Sequence, residues 1–329
     1  MPTNSRILVA VKDPWARALP AVDKAAQLAR ALGARVQLFH ALSDPLYVDV
    51  AESHGRSLMG LEQVELARVA GRLALLARRI ERAGVRADSA ATWDFPAHEA
   101  VIRAARRFEA DLIVAERHST SHHLPWLLRF TDFELLRLAP VPVLLVKSGQ
   151  PYRRPRILAA IDPAHAYSKP PRLDREILHN ASSVARALHG SLHAIHAFDP
   201  LPVDTMAAEV PLGEAARVIE TVTEARARSA FDRMLDGSGI SRSRRYLVPR
   251  HPIDAIEAVA RDIGSDIVVV GAVSRSGLKR LVLGNTAERV LDHLPCDVLV
   301  VKPKRFVSGV PRARRGPRLV ALSAPLAGI

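Results

Sequence analysis

The chain is poor in cysteine and in long hydrophobic runs, and each shortage excludes a class of protein. A single cysteine, Cys296, stands among 329 residues, so no internal disulfide can form and a disulfide-stapled secreted domain is excluded. The longest apolar runs, such as Ile267 to Val270, fall far short of the roughly 20 residues that span a bilayer. The first residues carry no apolar signal segment. We therefore expect a cytoplasmic protein that does not cross a membrane.

Acidic residues and aromatic residues are also scarce. The 34 Asp and Glu are outnumbered by 47 Lys and Arg, which gives a net charge of +13, and aromatic residues make up 5% of the chain. A basic excess raises the question of nucleic-acid binding. However, the arginines fall mostly on predicted helix faces, and no helix-turn-helix pattern, zinc-ligand spacing or basic stretch interleaved with aromatics occurs. We expect weak non-specific attraction to polyanions and no specific nucleic-acid partner.

The most informative feature that is present is an internal repeat the size of a domain. The segment Arg6-Ile-Leu-Val-Ala-Val corresponds to Arg156-Ile-Leu-Ala-Ala-Ile, and Pro140-Val-Pro-Val-Leu-Leu-Val-Lys corresponds to Pro295-Cys-Asp-Val-Leu-Val-Val-Lys. A period of roughly 150 residues is too long for a solenoid unit and matches a whole domain. The predicted parts are a first domain, a linker interrupted by Gly and Pro, a second domain and a tail: 1–147, 148–155, 156–303 and 304–329.

Each copy alternates short apolar runs with amphipathic segments, and this alternation predicts the fold class. Continuously apolar runs such as Ile157 to Ile161 are typical of strands buried on both faces of a parallel sheet. The intervening segments, such as Leu173 to Leu188, carry apolar residues at helical spacing, and Gly190 is available for a left-handed cap. We predict an α/β protein with two tandem Rossmann-like domains, each a five-stranded parallel sheet between helices.

The tail is predicted to lack order. Residues 304–329 contain six basic residues, no acidic residue, three prolines and three glycines. Such a composition cannot bury enough apolar surface to form a packed structure. We expect a solvated tail whose arginines are available to anionic partners.

The segment that follows the fourth strand of the second copy has the composition of a phosphate-binding loop. It reads Gly271-Ala-Val-Ser274, then nine residues that include Gly277, then Gly284-Asn285-Thr286 at the start of a predicted helix. Glycine permits close approach of a ligand, and a helix N-terminus offers unpaired N–H groups and a positive dipole end. Asn285 or Thr286 can cap the helix or bond a phosphate oxygen. The alternative from the residues alone is a capped turn with no ligand.

This loop, together with the tandem repeat, resembles the universal stress protein family in its two-domain form. The resemblance covers both copies and implies an adenine nucleotide alpha hydrolase-like fold and an ATP site in the second domain alone, with Mg²⁺ left open. It implies that Asp162 contacts the nucleoside, that the Ala197 backbone reads adenine, and that Val270 and Gly271 lie on the ribose side. Four loop residues would face the triphosphate: Ser274, Gly284, Asn285 and Thr286. It also implies that the fifth strands, 143–146 and 298–301, pair within the chain as a pseudo-dimer, which leaves further homodimerisation open.

Both copies depart from the family pattern, the first more than the second. In the second copy, Ser274 replaces a glycine, Asn285 replaces Ser or Thr, and Arg250-His251-Pro252 brings a large cation that could pair with phosphate or fill the pocket. In the first copy, four positions lose the site chemistry, since Lys12 stands for Asp162, Glu116 for Gly271, and Arg129-Phe130 for Gly284-Asn285. Ser119 matches Ser274, so this position is unchanged. We therefore expect no nucleotide in the first copy.

The sequence contains no nucleophile, acid–base pair or metal cluster that calls for enzymatic work. Glu116, His118, His122 and His123 are interpreted as solvated loop residues. His40 and His196, at matching strand positions, are interpreted as packing or hydrogen-bonding residues. The expected function is a non-catalytic, cytoplasmic stress-response protein with unidentified protein partners and at most slow ATP hydrolysis. The alternatives are a ligand-free interaction or scaffold protein, and a carrier of a small apolar or nucleotide-linked molecule in the groove between the domains.

Overall fold

A computed structural model describes residues 5–43, 46–49, 56–117, 125–164, 172–200, 214–272 and 294–322. The chain forms two compact units. The first unit contains the residues up to Pro151 together with those from Val307 onward, and the second unit contains Tyr152 to Phe306. Each unit alternates strands and helices, so the predicted α/β class is confirmed.

The first unit follows the predicted order of elements. Its helices and strands are β1 (Arg6–Ala10), α1 (Pro20–Leu32), β2 (Arg35–Leu42), β3 (Leu46–Asp49), α2 (Arg56–Arg82), β4 (Ala87–Trp93), α3 (Ala97–Phe108), β5 (Leu112–Glu116), α4 (Pro125–Leu138) and β6 (Val143–Val146). The strands of its main sheet are parallel and lie in the order β4-β2-β1-β5-β6. The order reverses between β1 and β5, which is the doubly wound arrangement.

The second unit repeats this arrangement. Its elements are β7 (Arg156–Ala160), α5 (Leu173–Ala187), β8 (Ser191–Phe198), α6 (Glu214–Leu235), β9 (Arg245–Pro249), α7 (Pro252–Asp262), β10 (Ile267–Gly271) and β11 (Asp297–Val301). Its parallel strands lie in the order β9-β8-β7-β10-β11, with the reversal between β7 and β10. The predicted helix over 286–293 lies outside the described residues.

The central strands form the core because both of their faces are covered. Ile7 and Leu8 of β1, and Ile157 and Leu158 of β7, are completely buried. Helix α1 begins at Pro20, whose fixed φ suits the first helical position, and ends at Gly33 in the left-handed conformation. The continuous apolar runs in the sequence correctly predict strands buried on both sides.

The end of α5 differs from the prediction. His189, and not Gly190, takes the positive φ of 51°. Gly190 is needed for a different reason, since a Cβ at this position would lie 2.2 Å from the carbonyl oxygen of Pro155. That oxygen accepts a hydrogen bond from the Ser191 N–H as β8 begins, so the chain must pass close to it.

The tail also differs from the prediction of disorder over residues 304–322. Lys304 forms an ion pair with Glu176 in the second unit. From Val307 onward the chain belongs to the first unit, where β12 (Leu319–Leu322) pairs in parallel with β3. The segment is ordered despite its composition, because hydrogen bonds and an ion pair to the first unit hold it in place.

Candidate functional site

Four of the predicted site residues lie at one edge of the second unit's sheet. Ala160 lies beside Ile195 in the register of β7 and β8, and Ile161 continues the pairing by donating its N–H to the Ile195 carbonyl over 3.0 Å. Asp162 and Ala197 are therefore at the same level. The other neighbour of β7 is β10, which ends at Val270 and Gly271. This edge is the carboxyl end of the strands at the point where their order reverses, which is where open α/β sheets bind ligands.

Asp162 carries a buried carboxylate that lies close to α5 and β8. Its side chain is 5% exposed, and its backbone N–H donates to the carboxylate of Asp174, 3.0 Å away in the first turn of α5. The Asp162 Oδ1 atom also lies 3.9 Å from Nδ1 of His196. Asp162 is thus positioned at the predicted edge, and its surroundings join the end of β7 to α5 and β8.

The two histidines at matching strand positions have different environments. His196 is completely buried, and its ring lies 5.9 Å from the ring of Phe231 on α6. His40 in the first unit is half-buried, with Nδ1 2.7 Å from the carbonyl oxygen of Val11. His196 thus packs against an aromatic ring and His40 contacts a backbone carbonyl, which are the two kinds of role that the sequence predicts.

Gly271 has a role in packing that the sequence does not reveal. A Cβ at this position would lie 2.6 Å from Cδ2 of Leu173 and 3.1 Å from Cδ1 of Ile177, both on α5. Leu173 and Ile177 are completely buried. The close approach of α5 to the end of β10 accounts for the glycine without a ligand.

The remaining predicted site residues lie outside the described part of the chain. They are Ser274, Gly277, Gly284, Asn285 and Thr286. The loop that contains them leaves the sheet after Ala272, whose N–H donates to the Val301 carbonyl over 2.9 Å. The chain therefore enters this loop from the same carboxyl edge that carries Asp162 and Ala197.

Arg250 is exposed to solvent among the residues that the structure describes. It follows β9 directly, its side chain is exposed, and its N–H donates to the Val248 carbonyl in a tight turn. The chain then enters α7 at Pro252. Of the two roles that the sequence leaves open for Arg250, plugging the site does not fit this exposure.

The corresponding edge of the first unit has the same backbone and different chemistry. The Arg117 N–H donates to the Val146 carbonyl over 2.9 Å, which reproduces the bond from Ala272. Lys12 is exposed, and Glu116 is half-buried at the end of β5. The positions Arg129 and Phe130, which align with Gly284 and Asn285, lie within α4 and not at its start. Ser119, His118, His122 and His123 lie outside the described residues.

Comparison with known proteins decides the family. The family profile of the "Universal stress protein family" matches residues 3–147 and 154–302. The chain belongs to the universal stress protein family.

The similarity to relatives of this universal stress protein extends over both matched regions. Universal stress protein E of Escherichia coli strain K12 is 26% identical over 304 residues, which cover 92% of this chain and 96% of that protein. A functionally unknown protein from Pseudomonas aeruginosa PAO1 has a solved structure with a TM-score of 0.67 at 24% identity, covering 92% of this chain and 93% of that one. A universal stress protein from Archaeoglobus fulgidus gives a TM-score of 0.59 at 18% identity, covering 92% and 99%. The two structural likenesses support the fold.

The first universal stress protein domain contains a buried charge cluster that the sequence does not predict. Asp94 follows β4, and Glu99 and Arg103 lie on α3. The Arg103 guanidinium donates to Asp94 over 2.9 Å and to Glu99 over 3.0 Å, and Arg315 from the tail pairs with Glu99. Burial alone would raise the pKa of the Glu99 carboxyl, but hydrogen bonds from Arg103 and Arg315 outweigh it and hold that pKa below its usual range.

The described part of the chain holds neither a membrane-spanning helix nor a cluster of metal-binding side chains. Within the described ranges, no helix has both the length and the hydropathy needed to cross a bilayer. Across those same ranges, no group of three His, Cys, Asp or Glu side chains lies close enough together to hold a metal ion.

Proposed function

We propose that this universal stress protein is a non-catalytic, cytoplasmic stress-response protein whose second unit binds an adenine nucleotide. The observation that carries the proposal is the convergence of Asp162, Ala197, Val270 and Gly271 at the carboxyl edge of the second sheet. Ligands of doubly wound sheets bind at this point. The glycine-containing segment that follows Ala272 begins at the same edge, and its composition suits phosphate.

In this proposal ATP is the nucleotide, and each site residue has the role that the family resemblance implies for it. The backbone at Ala197 would read the adenine, Asp162 would lie toward the nucleoside, and the loop residues Ser274, Gly277, Gly284, Asn285 and Thr286 would receive the phosphates. The first unit would bind no nucleotide, since Lys12 and Glu116 replace Asp162 and Gly271. Pairing of the two domains within the chain, and further homodimerisation, stay predictions.

A matched pair of glycine variants tests the site. Gly284→Val should abolish or strongly weaken ATP binding in titration calorimetry, because a branched side chain would occupy the space that a phosphate needs. Gly309→Val introduces the same side chain in the first unit, where a Cβ meets nothing within 4 Å, and should leave the affinity unchanged. Equal ATP affinity of Gly284→Val and the wild type, with both folded by circular dichroism, would contradict the site assignment.

The packing of Gly271 against Leu173 favours a second candidate, a ligand-free interaction protein, because it accounts for this glycine without a nucleotide. A third alternative, a carrier of a small apolar or nucleotide-linked molecule, remains a prediction of the sequence. Mass spectrometry of what the native purified protein releases on denaturation separates the three. Release of adenine nucleotide supports the proposal, release of an apolar molecule supports the carrier, and release of nothing together with no ATP affinity supports the interaction role.

A further inference from the structure

The C-terminal segment, residues 307–322, lies on the first unit as an extended chain. Arg106 donates to the carbonyl oxygens of Val310 and Ser308 over 2.6 and 3.1 Å. The Arg314 guanidinium donates to the Trp93 carbonyl over 3.1 Å. Beyond these contacts, β12 adds to β3 as a parallel strand. The segment therefore meets one continuous surface, which runs from α3 across the end of β4 to β3.

At the centre of this surface is a pocket in which two carboxylates face one buried guanidinium. The pocket contains two carboxylates, Asp94 and Glu99, whose side chains are 1% and 10% exposed, and one buried guanidinium from Arg103. The charges of these three groups sum to −1. These exposed fractions apply with the C-terminal segment in place, and a carboxylate that becomes buried without a matching cation carries a large desolvation cost. The first unit thus presents a site that is complementary to one additional cation.

The C-terminal segment supplies that cation in a specific geometry. Arg315 donates from Nε and Nη2 to the two oxygens of Glu99 over 2.8 and 2.7 Å. This paired arrangement is the strong, directional form of the arginine–carboxylate interaction, which a lysine cannot reproduce. The Arg315 guanidinium remains 56% exposed, so it enters the site from the solvent side.

The peptide backbone at Arg315 and Gly316 is recognised as well. The N–H groups of these two residues donate to Oδ1 of Asp94 over 2.9 and 3.2 Å. In return, the Gly316 carbonyl accepts the Phe95 N–H over 3.1 Å. Gly316 has a φ of 77°, in the region that favours glycine. The site therefore suits an Arg-Gly pair in two ways: Glu99 matches the charge of the arginine, and the backbone turn requires the positive φ that glycine adopts.

Strand addition combined with a charged pocket is the chemistry by which proteins recognise extended peptides. We propose that the first unit carries a peptide-binding site for an extended Arg-Gly segment, and that residues 307–322 are its occupant, held within the same chain. Arg315 and Gly316 determine the specificity, because Glu99 binds the Arg315 guanidinium and Asp94 accepts the N–H groups of both residues. This site is independent of the nucleotide proposed for the second unit.

The proposal predicts that the segment stays bound when it is no longer covalently attached. Val307 is 85% exposed, so a recognition sequence for a specific protease can be inserted between Phe306 and Val307 in the full chain. The protein is folded intact, cleaved, and examined by native mass spectrometry at low salt. After cleavage, the C-terminal peptide should stay bound to the rest of the protein in a 1:1 complex. It should also exchange with an added synthetic peptide of residues 307–322.

The variants Arg315→Ala and Arg312→Ala test specificity. Both remove one exposed arginine from the segment, but Arg315 alone enters the Asp94–Glu99 pocket in the described contacts. Arg315→Ala should weaken retention of the cleaved peptide at least about tenfold, because a paired, charge-assisted interaction is lost, and Arg312→Ala should weaken it far less.

Asp94→Asn tests the receptor side of the same pocket. This change keeps the shape of the side chain and removes the charge that faces Arg103 and the two N–H groups, so retention should fall as it does for Arg315→Ala. Loss of the wild-type peptide on cleavage would overturn the proposal. Equal weakening by Arg315→Ala and Arg312→Ala would also overturn it, because the attraction would then be one of general charge.

Discussion

At the scale of single residues, buried titratable groups in the first unit link stability to pH. His98 lies on α3 beside Glu99 and Arg103. Burial lowers the pKa of His98 from 6.5 to about 4, against an opposing effect of Glu99, and Arg103, Arg137 and Arg315 lower it further. The imidazole is therefore neutral in the folded protein at pH values where the unfolded chain takes up a proton.

The pH dependence of unfolding should reveal His98. Because its folded pKa is depressed, the stability it contributes is complete above pH 6.5 and is lost as the pH falls toward 4. Between pH 7 and pH 5 this amounts to about 2 kcal/mol of unfolding free energy. His98→Gln should remove about that much of the pH dependence in urea titrations. An unchanged difference between the two pH values in this variant would show that His98 is protonated as easily in the folded protein as in the unfolded chain.

At the scale of elements, local sequence signals predict where helices and strands begin and end, but they do not predict which strands pair. The apolar spacing predicts helices over 20–32 and 97–108 and a strand over 143–146. Elements α1, α3 and β6 have these bounds, because Pro20, Gly33 and the apolar runs are local signals. The sequence also predicts a helix over 132–138, but α4 begins at Pro125, since a proline can open a helix as well as interrupt one.

The pairing of β3 with β12 has no local signal at all, because the two strands lie almost at opposite ends of the sequence. The candidate site shows the same division. The sequence places Asp162 and Ala197 at strand ends, which the register brings together. It attributes Gly271 to a ligand, although the approach of α5 already requires a glycine there. The pocket of Asp94, Glu99 and Arg103 escapes prediction because its matching cation comes from a distant segment.

Two glycine-to-alanine variants separate close approach from helix propensity. Gly190→Ala, at the junction of α5 and β8, should destabilise the protein by about 2–4 kcal/mol, because the new Cβ meets the Pro155 carbonyl at 2.2 Å and backbone must move. Gly71→Ala lies on the exposed face of α2 with nothing within 4 Å, and should stabilise it by about 0.5–1 kcal/mol. Thermal unfolding followed by circular dichroism measures both. If Gly190→Ala raised the unfolding temperature as much as Gly71→Ala does, the backbone between α5 and β8 would be able to shift away from Pro155 at little cost.

At the scale of the whole molecule, duplication has left two units with the same sheet order and different edges. The second unit has an acidic residue, Asp162, and a glycine, Gly271, at its carboxyl edge. The first unit has Lys12 and Glu116 at the matching positions, and the C-terminal segment lies across the end of its β4. The two copies therefore have different uses for the same topology.

This asymmetry predicts the stoichiometry of nucleotide binding. Titration calorimetry with ATP should give one site per chain, because the residues that we propose for the site belong to the second unit. Lys12→Asp, which restores the acidic residue in the first unit, should leave that stoichiometry at one, since Glu116 and helix α4 still occupy the positions of the loop. Two sites per wild-type chain would contradict the proposed division between the units.

The return of the C-terminal segment also has a consequence for synthesis on the ribosome. The second unit is complete once Phe306 has emerged, but the first unit still lacks β12, Arg315 and Gly316 at that moment. Domains generally fold in order as they leave the ribosome, from the N-terminus onward. Here the half of the protein that is made first is finished last, because the contacts of Arg315 and Gly316 with Asp94 and Glu99 can form only after the second half has been translated.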